Sequence, residues 1–175
     1  MVDVPRLLLR EKANRARRNG VSLQDQALGE PVRLGSLMAG PLAPISNLIQ
    51  TSRLLRKVNE KLVGISSEFP IPTFAPKTFE TWLAKHEPLP EAGSAGKVAL
   101  FATCLGDYNF PRIAAASVRV LEKNGYAVVR PAQQCCGMPN LDGGDVDAAK
   151  EKARFNVAQL LPLVEEGHSV VVCGP

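Results

Sequence analysis

The stretch KVALFATCLGDYNFPRIAAASVRVLEKNGYAVVR, residues 97–130, decides the fold. Lys97–Thr103 is a short apolar run of the length a buried strand needs. Pro111 suits a first helical position. Ala114, Val118 and Leu121 then recur on one stripe and Gly125 follows, so the spacing predicts a helix over 111–124. Tyr126–Arg130 reads as a second strand. Further on, 145–166 is predicted as a long helix with Ala149, Ala153, Val157, Leu160 and Val164 on its buried face and Asp142 or Asp145 as its cap. Ser169–Cys173 is a third apolar strand. The expectation is an α/β protein with a three-stranded parallel sheet, β-α-β-loop-α-β, whose functional groups gather at the carboxyl ends of the strands.

Towards the N-terminus the character changes. Residues 87–96 (EPLPEAGSAG) and 66–76 (SSEFPIPTFAP) are rich in proline or small residues and carry no periodicity. A short helix over 78–86 lies between them. Residues 5–19, 23–28, 33–38 and 44–65 are predicted as helices broken by Gly20, Gly29 and the Gly40-Pro41 and Pro44 signals. Three parts are expected: a helical, proline-interrupted connector arm over 1–65, a Pro-rich linker over 66–96, and a cysteine-rich domain over 97–175. The sequence stops directly after the third strand, so that domain is expected to be cut short at its C-terminal end.

Charge follows the same division. Residues 1–61 hold 11 Lys and Arg against 5 Asp and Glu, whereas 62–175 hold 10 against 12. A basic arm suits an anionic membrane surface, an acidic partner or a solvated helix face. Arg15, Arg17 and Arg18 are its densest cluster. The arm lacks aromatic side chains for stacking on bases, which argues against nucleic acid. No apolar run approaches the ~18 residues of a membrane span, and the Leu7–Leu9 patch is too short for a signal-peptide core. A cytoplasmic setting is therefore expected, where four cysteines point to metal or redox chemistry before disulfides.

Cys104 sits where the first strand ends, Cys135 and Cys136 occupy the loop after the second, and Cys173 closes the third. One β-α unit fills each gap between them, so residues far apart in sequence meet at one edge of the sheet. Iron and zinc both take thiolates. Zinc knuckles of the C-x2–4-C type are absent, and adjacent cysteines pair with each other only under strain. Side by side, two thiolates can instead serve neighbouring irons of a cluster, and Gly137 lets the backbone come close and its N–H donate to sulfide. The competing readings are small buried hydrophobes, above all for Cys173, and a zinc-binding or vestigial set in a structural docking segment. A thiol enzyme with Cys135 as nucleophile would need a nearby cation, for which Arg130 is the candidate. Asp107, Tyr108 and Asn109 read as a turn before the next helix, and Asp142-Gly143-Gly144-Asp145 as a capping loop. His86 and His168 show no ligand spacing.

The motifs CLGDYN at 104–109, QCCGMPNLDGGD at 134–145 and SVVVCGP at 169–175 resemble the cysteine-rich CCG family of iron–sulfur oxidoreductase subunits. That family includes cysteine-rich subunits of heterodisulfide reductase, glycolate oxidase and anaerobic glycerol-3-phosphate dehydrogenase. The arm is similar to the connector of those proteins at RNGVSL (18–23), GPLAPISN (40–47), RLLRKVNEKLVGI (53–65) and TFAPKTFETW (73–82). The resemblance implies an electron-transfer subunit with an iron–sulfur cluster of the 4Fe–4S class. Electrons would come from a flavoprotein dehydrogenase partner and go towards a quinone or another acceptor, at the inner membrane face. It implies Cys104, Cys135, Cys136 and Cys173 as metal ligands, with Gly137 beside the cofactor. No group on this chain would then oxidise substrate itself. The family's ferredoxin-like module and second CCG repeat are absent from this sequence, and its proline-containing last motif places Gly174 where Cys173 would be matched.

Overall fold

A computed structural model describes residues 3–174, which leaves Met1, Val2 and Pro175 outside the described residues. The arm opens with α1 (Val4–Asn19), capped by Asp3, whose carboxylate accepts from the Arg6 amide at 3.1 Å. Then come α2 (Leu23–Gly29), capped by Ser22, and α3 (Pro31–Met38). A 3-10 turn over Gly40–Leu42 leads into α4 (Ala43–Thr51) and α5 (Arg53–Val63). The helix expected over 44–65 is thus two helices. The backbone breaks at Ser52, where φ −73° and ψ 117° are extended rather than helical.

After an extended segment, α6 (Phe79–Leu83) starts at Thr78, whose hydroxyl accepts from the Thr81 amide. The sheet follows as β1 (Gly96–Ala102), α7 (Cys104–Tyr108), α8 (Pro111–Lys123), β2 (Tyr126–Val129), α9 (Met138–Gly143), α10 (Val146–Glu165) and β3 (Ser169–Cys173). All pairings are parallel and the strand order is β2-β1-β3. The fold is α/β, as the alternation of patterns predicts. Because the chain moves outward from β1 to β2 and then back across β1 to β3, right-handed crossovers place α8 and α10 on opposite faces.

On the α8 face, Leu100 and Ala102 of β1 and Cys173 of β3 pack with Ala114, Val118 and Phe79, all buried. Phe79 belongs to the segment read as a linker, yet its ring is fully buried and stacks on Trp82, which stacks in turn on His86. His86 Nε2 lies 2.8 Å from Glu122 Oε2 on α8, which pins this segment to the sheet domain.

The buried stripe of α10 differs from the expected one. Val157 and Val164 are exposed, whereas Ala149, Lys152 and Asn156 face inward. Two polar side chains take the inner positions because the loops beneath offer them hydrogen-bond partners, which offsets the cost of burying them. Asp145 is the cap: its Oδ1 accepts from the Ala148 amide at 3.1 Å.

Candidate metal centre

Each cysteine is set by a local device. Thr103 caps α7: its hydroxyl accepts from the Gly106 amide at 3.2 Å, so Cys104 becomes the first helical residue, where the Leu105 backbone favours its thiolate. The Cys135-Cys136 loop is clamped from two sides. The Gln133 amide pairs with both backbone groups of Ala102, accepting from its N–H at 3.2 Å and donating to its carbonyl. From α10, Asn156 accepts from the Gln134 amide at 2.8 Å and donates to the Gln134 and Cys135 carbonyls at 3.3 and 3.2 Å. The loop is therefore tied both to the end of β1 and to a covering helix.

Gly137 then turns the chain into α9 with φ 85°, a left-handed value that a side chain strains. A Cβ there would stand 3.2 Å from both Cα and O of Ala149, so the close approach is to α10. The Gly137 and Met138 backbones act to lower the pKa of Cys135 and Cys136 respectively, against the burial that raises both.

Three thiols meet as a result. Cys104, Cys135 and Cys136 line one cleft of about 470 Å³, with Phe101, Leu105, Met138 and Pro139 supplying apolar walls and Lys12, Asp25 and Leu28 coming from the arm. Hydrogen bonding from the Cys135 thiol lowers the pKa of Cys104 to about 7, against burial and the charge of Cys136. The same bond, aided by burial, pushes Cys135 far up. Cys136 is the exposed member, but its sulfur is crowded enough for desolvation to raise its pKa, opposed by the Met138 N–H.

Cys173 does not join them. Strand alternation turns its side chain to the α8 face, where it packs among Leu100, Ala102 and Phe79 at 5% exposure and lines no part of the cleft. Burial raises its pKa, and its backbone carbonyl accepts from the Thr103 hydroxyl at 3.4 Å.

Nor do Asp107, Tyr108 and Asn109 line the cleft. Asp107 is buried and pairs with Arg130 at 2.6 Å; burial pushes its carboxyl up while the guanidinium pulls it down. The Asn109 amide holds the extended segment through the Pro72 and Thr73 carbonyls. Arg130 is committed to Asp107 and lies outside the cleft, so it gives Cys135 no activating cation. Sequence reasoning missed Gln133, Asn156 and Lys152, which position the site. Their only sequence signal is polar residues at inward-facing helical or loop positions.

The family model of the cysteine-rich domain CCG matches residues 98–174. The cysteine-bearing stretch is thus similar to a CCG domain. The chain as a whole is similar to a subunit of the anaerobic glycerol-3-phosphate dehydrogenase of Escherichia coli (strain K12), at 27% identity over 140 residues, which cover 79% of this chain and 35% of that protein. It is also similar to lactate utilization protein A of Bacillus thuringiensis (strain Al Hakam), at 48% identity over 62 residues, 35% of this chain and 26% of the relative. The chain thus spans about a third or less of the length of these curated relatives. No solved structure matches it.

The donor set of this stretch fits an iron–sulfur group. It is all sulfur, it lies at the mouths of two loops, and nearby backbone amides favour the thiolate form of each cysteine, as cluster ligands require. Among the described residues no three His, Cys, Asp or Glu side chains converge as ligands of a single metal ion would. No described helix is long and apolar enough to cross a membrane.

Proposed function

We propose that this chain is an iron–sulfur electron-transfer element, with Cys104, Cys135 and Cys136 as cluster ligands. The observation that supports it most is that Cys104, Cys135 and Cys136, from two strand-end loops, line one apolar-walled cleft. When bound, a cluster of the 4Fe–4S class would supply one-electron chemistry. The chain's own part is to hold the thiols, offer N–H donors that stabilise their negative charge, and keep water off one side of the group. Cys173, on the far face of the sheet, would contribute packing. In this reading 1–65 is a connector arm, 66–96 a linker and 97–175 the cysteine-rich domain.

Among the relatives, one belongs to a dehydrogenase by name, which supports a partner that oxidises substrate while this chain passes electrons on. We assign the donor to a flavoprotein dehydrogenase and the acceptor to a quinone or a quinone-reducing partner, on the inner face of the membrane. Anaerobic reconstitution with iron and sulfide should give broad visible absorption that bleaches with a one-electron reductant and recovers on adding a soluble quinone. Absorption that ignores the reductant contradicts electron transfer.

A second reading, a docking segment with zinc-binding or vestigial cysteines, draws on α5. Leu54 and Leu62 on that helix are 72% and 75% exposed beside Arg53, Lys57 and Lys61, a face suited to covering by a partner. Stoichiometric zinc in purified protein and no iron uptake would favour it.

A further inference from the structure

The arm enters the cysteine cleft. Lys12, Asp25 and Leu28, all far from the cysteines in sequence, form its remaining wall. The approach is close enough to need a glycine: Gly144 has φ 85°, and a Cβ on it would lie 2.5 Å from the Lys12 carbonyl oxygen. At the same place the Lys12 ammonium donates to the Asp142 carbonyl at 2.8 Å.

The strongest link runs underneath. Lys152 of α10 is only 8% exposed, and its ammonium donates to the Gly29 carbonyl at 2.6 Å, to Glu30 Oε1 at 2.7 Å and to Asn140 Oδ1 at 2.9 Å. All three donors of the group are used. Two of the bonds go to the arm and one to α9, the helix that begins two residues after Cys136 and whose Met138 and Pro139 wall the cleft. A buried ammonium stripped of such partners is strongly unfavourable, so arm and α9 are held against α10 together.

We infer that Lys152 is a positioning residue of the cysteine site, which keeps the arm shut as the last wall of the cleft and fixes α9 beneath Cys136. The arm is thus part of the site and sets how far solvent and oxidants reach the thiols. The inference extends the proposed function, but its test uses metal-free protein, so failure to load iron would leave it readable.

The test is the rate of iodoacetamide alkylation at each cysteine of the metal-free full chain, followed by mass spectrometry. In Lys152→Met, alkylation of Cys104 and Cys135 should rise about tenfold, as expected when a local opening equilibrium loses a bonded buried charge. Cys173, buried on the other face, should keep its rate, and Lys152→Arg should recover part of the protection. Leu28→Ala, which thins the wall without touching the latch, should speed Cys104 severalfold. Equal acceleration of all four cysteines would reduce Lys152 to general stability and overturn the inference. Unchanged rates at Cys104 and Cys135 would also overturn it. If Lys152→Met does not fold, Glu30→Gln and Leu28→Ala carry the same comparison with the same two contrary outcomes.

Discussion

Cys104 and Cys135 face each other in one cleft, and their side-chain interaction lowers the pKa of Cys104 to about 7 while it raises that of Cys135. The chemistry of the cleft follows from that asymmetry. The lowered pKa makes Cys104 the thiol of the pair that is more readily a thiolate, and the raised one favours the neutral thiol at Cys135.

The pH dependence has a definite sign. Because its pKa is lowered, Cys104 gains reactivity towards iodoacetamide as pH rises through about 7, below the range of an ordinary thiol. Removing the partner thiol in Cys135→Ala should move the midpoint upward. A wild-type midpoint in the ordinary thiol range would contradict the interaction between the two thiols.

Cys173 should behave as a core residue. Cys173→Ala is expected to cost about 1 kcal/mol in urea unfolding and to leave iron uptake intact, since it trims a small buried hydrophobe. Cys136→Ser should do the reverse: loss of iron with little change in stability. Iron lost from a folded Cys173→Ala protein would make it a ligand after all.

Gly137→Ala meets two obstacles at once. Its φ of 85° disfavours a side chain, and the Cβ would face backbone atoms of Ala149 at 3.2 Å, which cannot swing aside. A loss of about 1–3 kcal/mol is expected, measured by denaturant titration, together with weaker iron binding as the Met138 amide shifts from Cys136.

The segment over 66–96 is anchored at one ring. Phe79→Ala should cost about 3–5 kcal/mol, because Phe79 is fully buried among Leu100, Ala114 and Val118. A change under about 1 kcal/mol in urea unfolding would mean that α6 does not pack on the sheet as described.

Much of this was legible in the sequence. Apolar runs at 97–103 and 169–173 and the Ala114–Val118–Leu121 stripe carry the parallel sheet, since strand burial and helical period are local properties. The placing of Cys104, Cys135 and Cys136 at strand ends followed from topology alone. The side to which Cys173 turns did not, because it depends on register with Ala102, and the uniformly apolar run Val170–Val172 shows no alternation even though Val170 and Val172 are exposed. Lys152 and Asn156 were missed because their partners, Gly29, Glu30 and the Cys135 carbonyl, lie far away in sequence. A lone lysine on a helix reads as solvated until the chain that covers it is known. The break at Ser52 also escaped, as the apolar period runs through it.

That Cys104, Cys135 and Cys136 hold an iron–sulfur group is tested most directly by metal and sulfide content. Iron and acid-labile sulfide per chain would be measured after anaerobic reconstitution in the presence of competing zinc, for wild type and for Cys135→Ser/Cys136→Ser. Iron and sulfide are expected in equal amounts in the wild type, and neither in the double variant. Zinc without sulfide in the wild type, or equal loading of both proteins, would contradict the assignment.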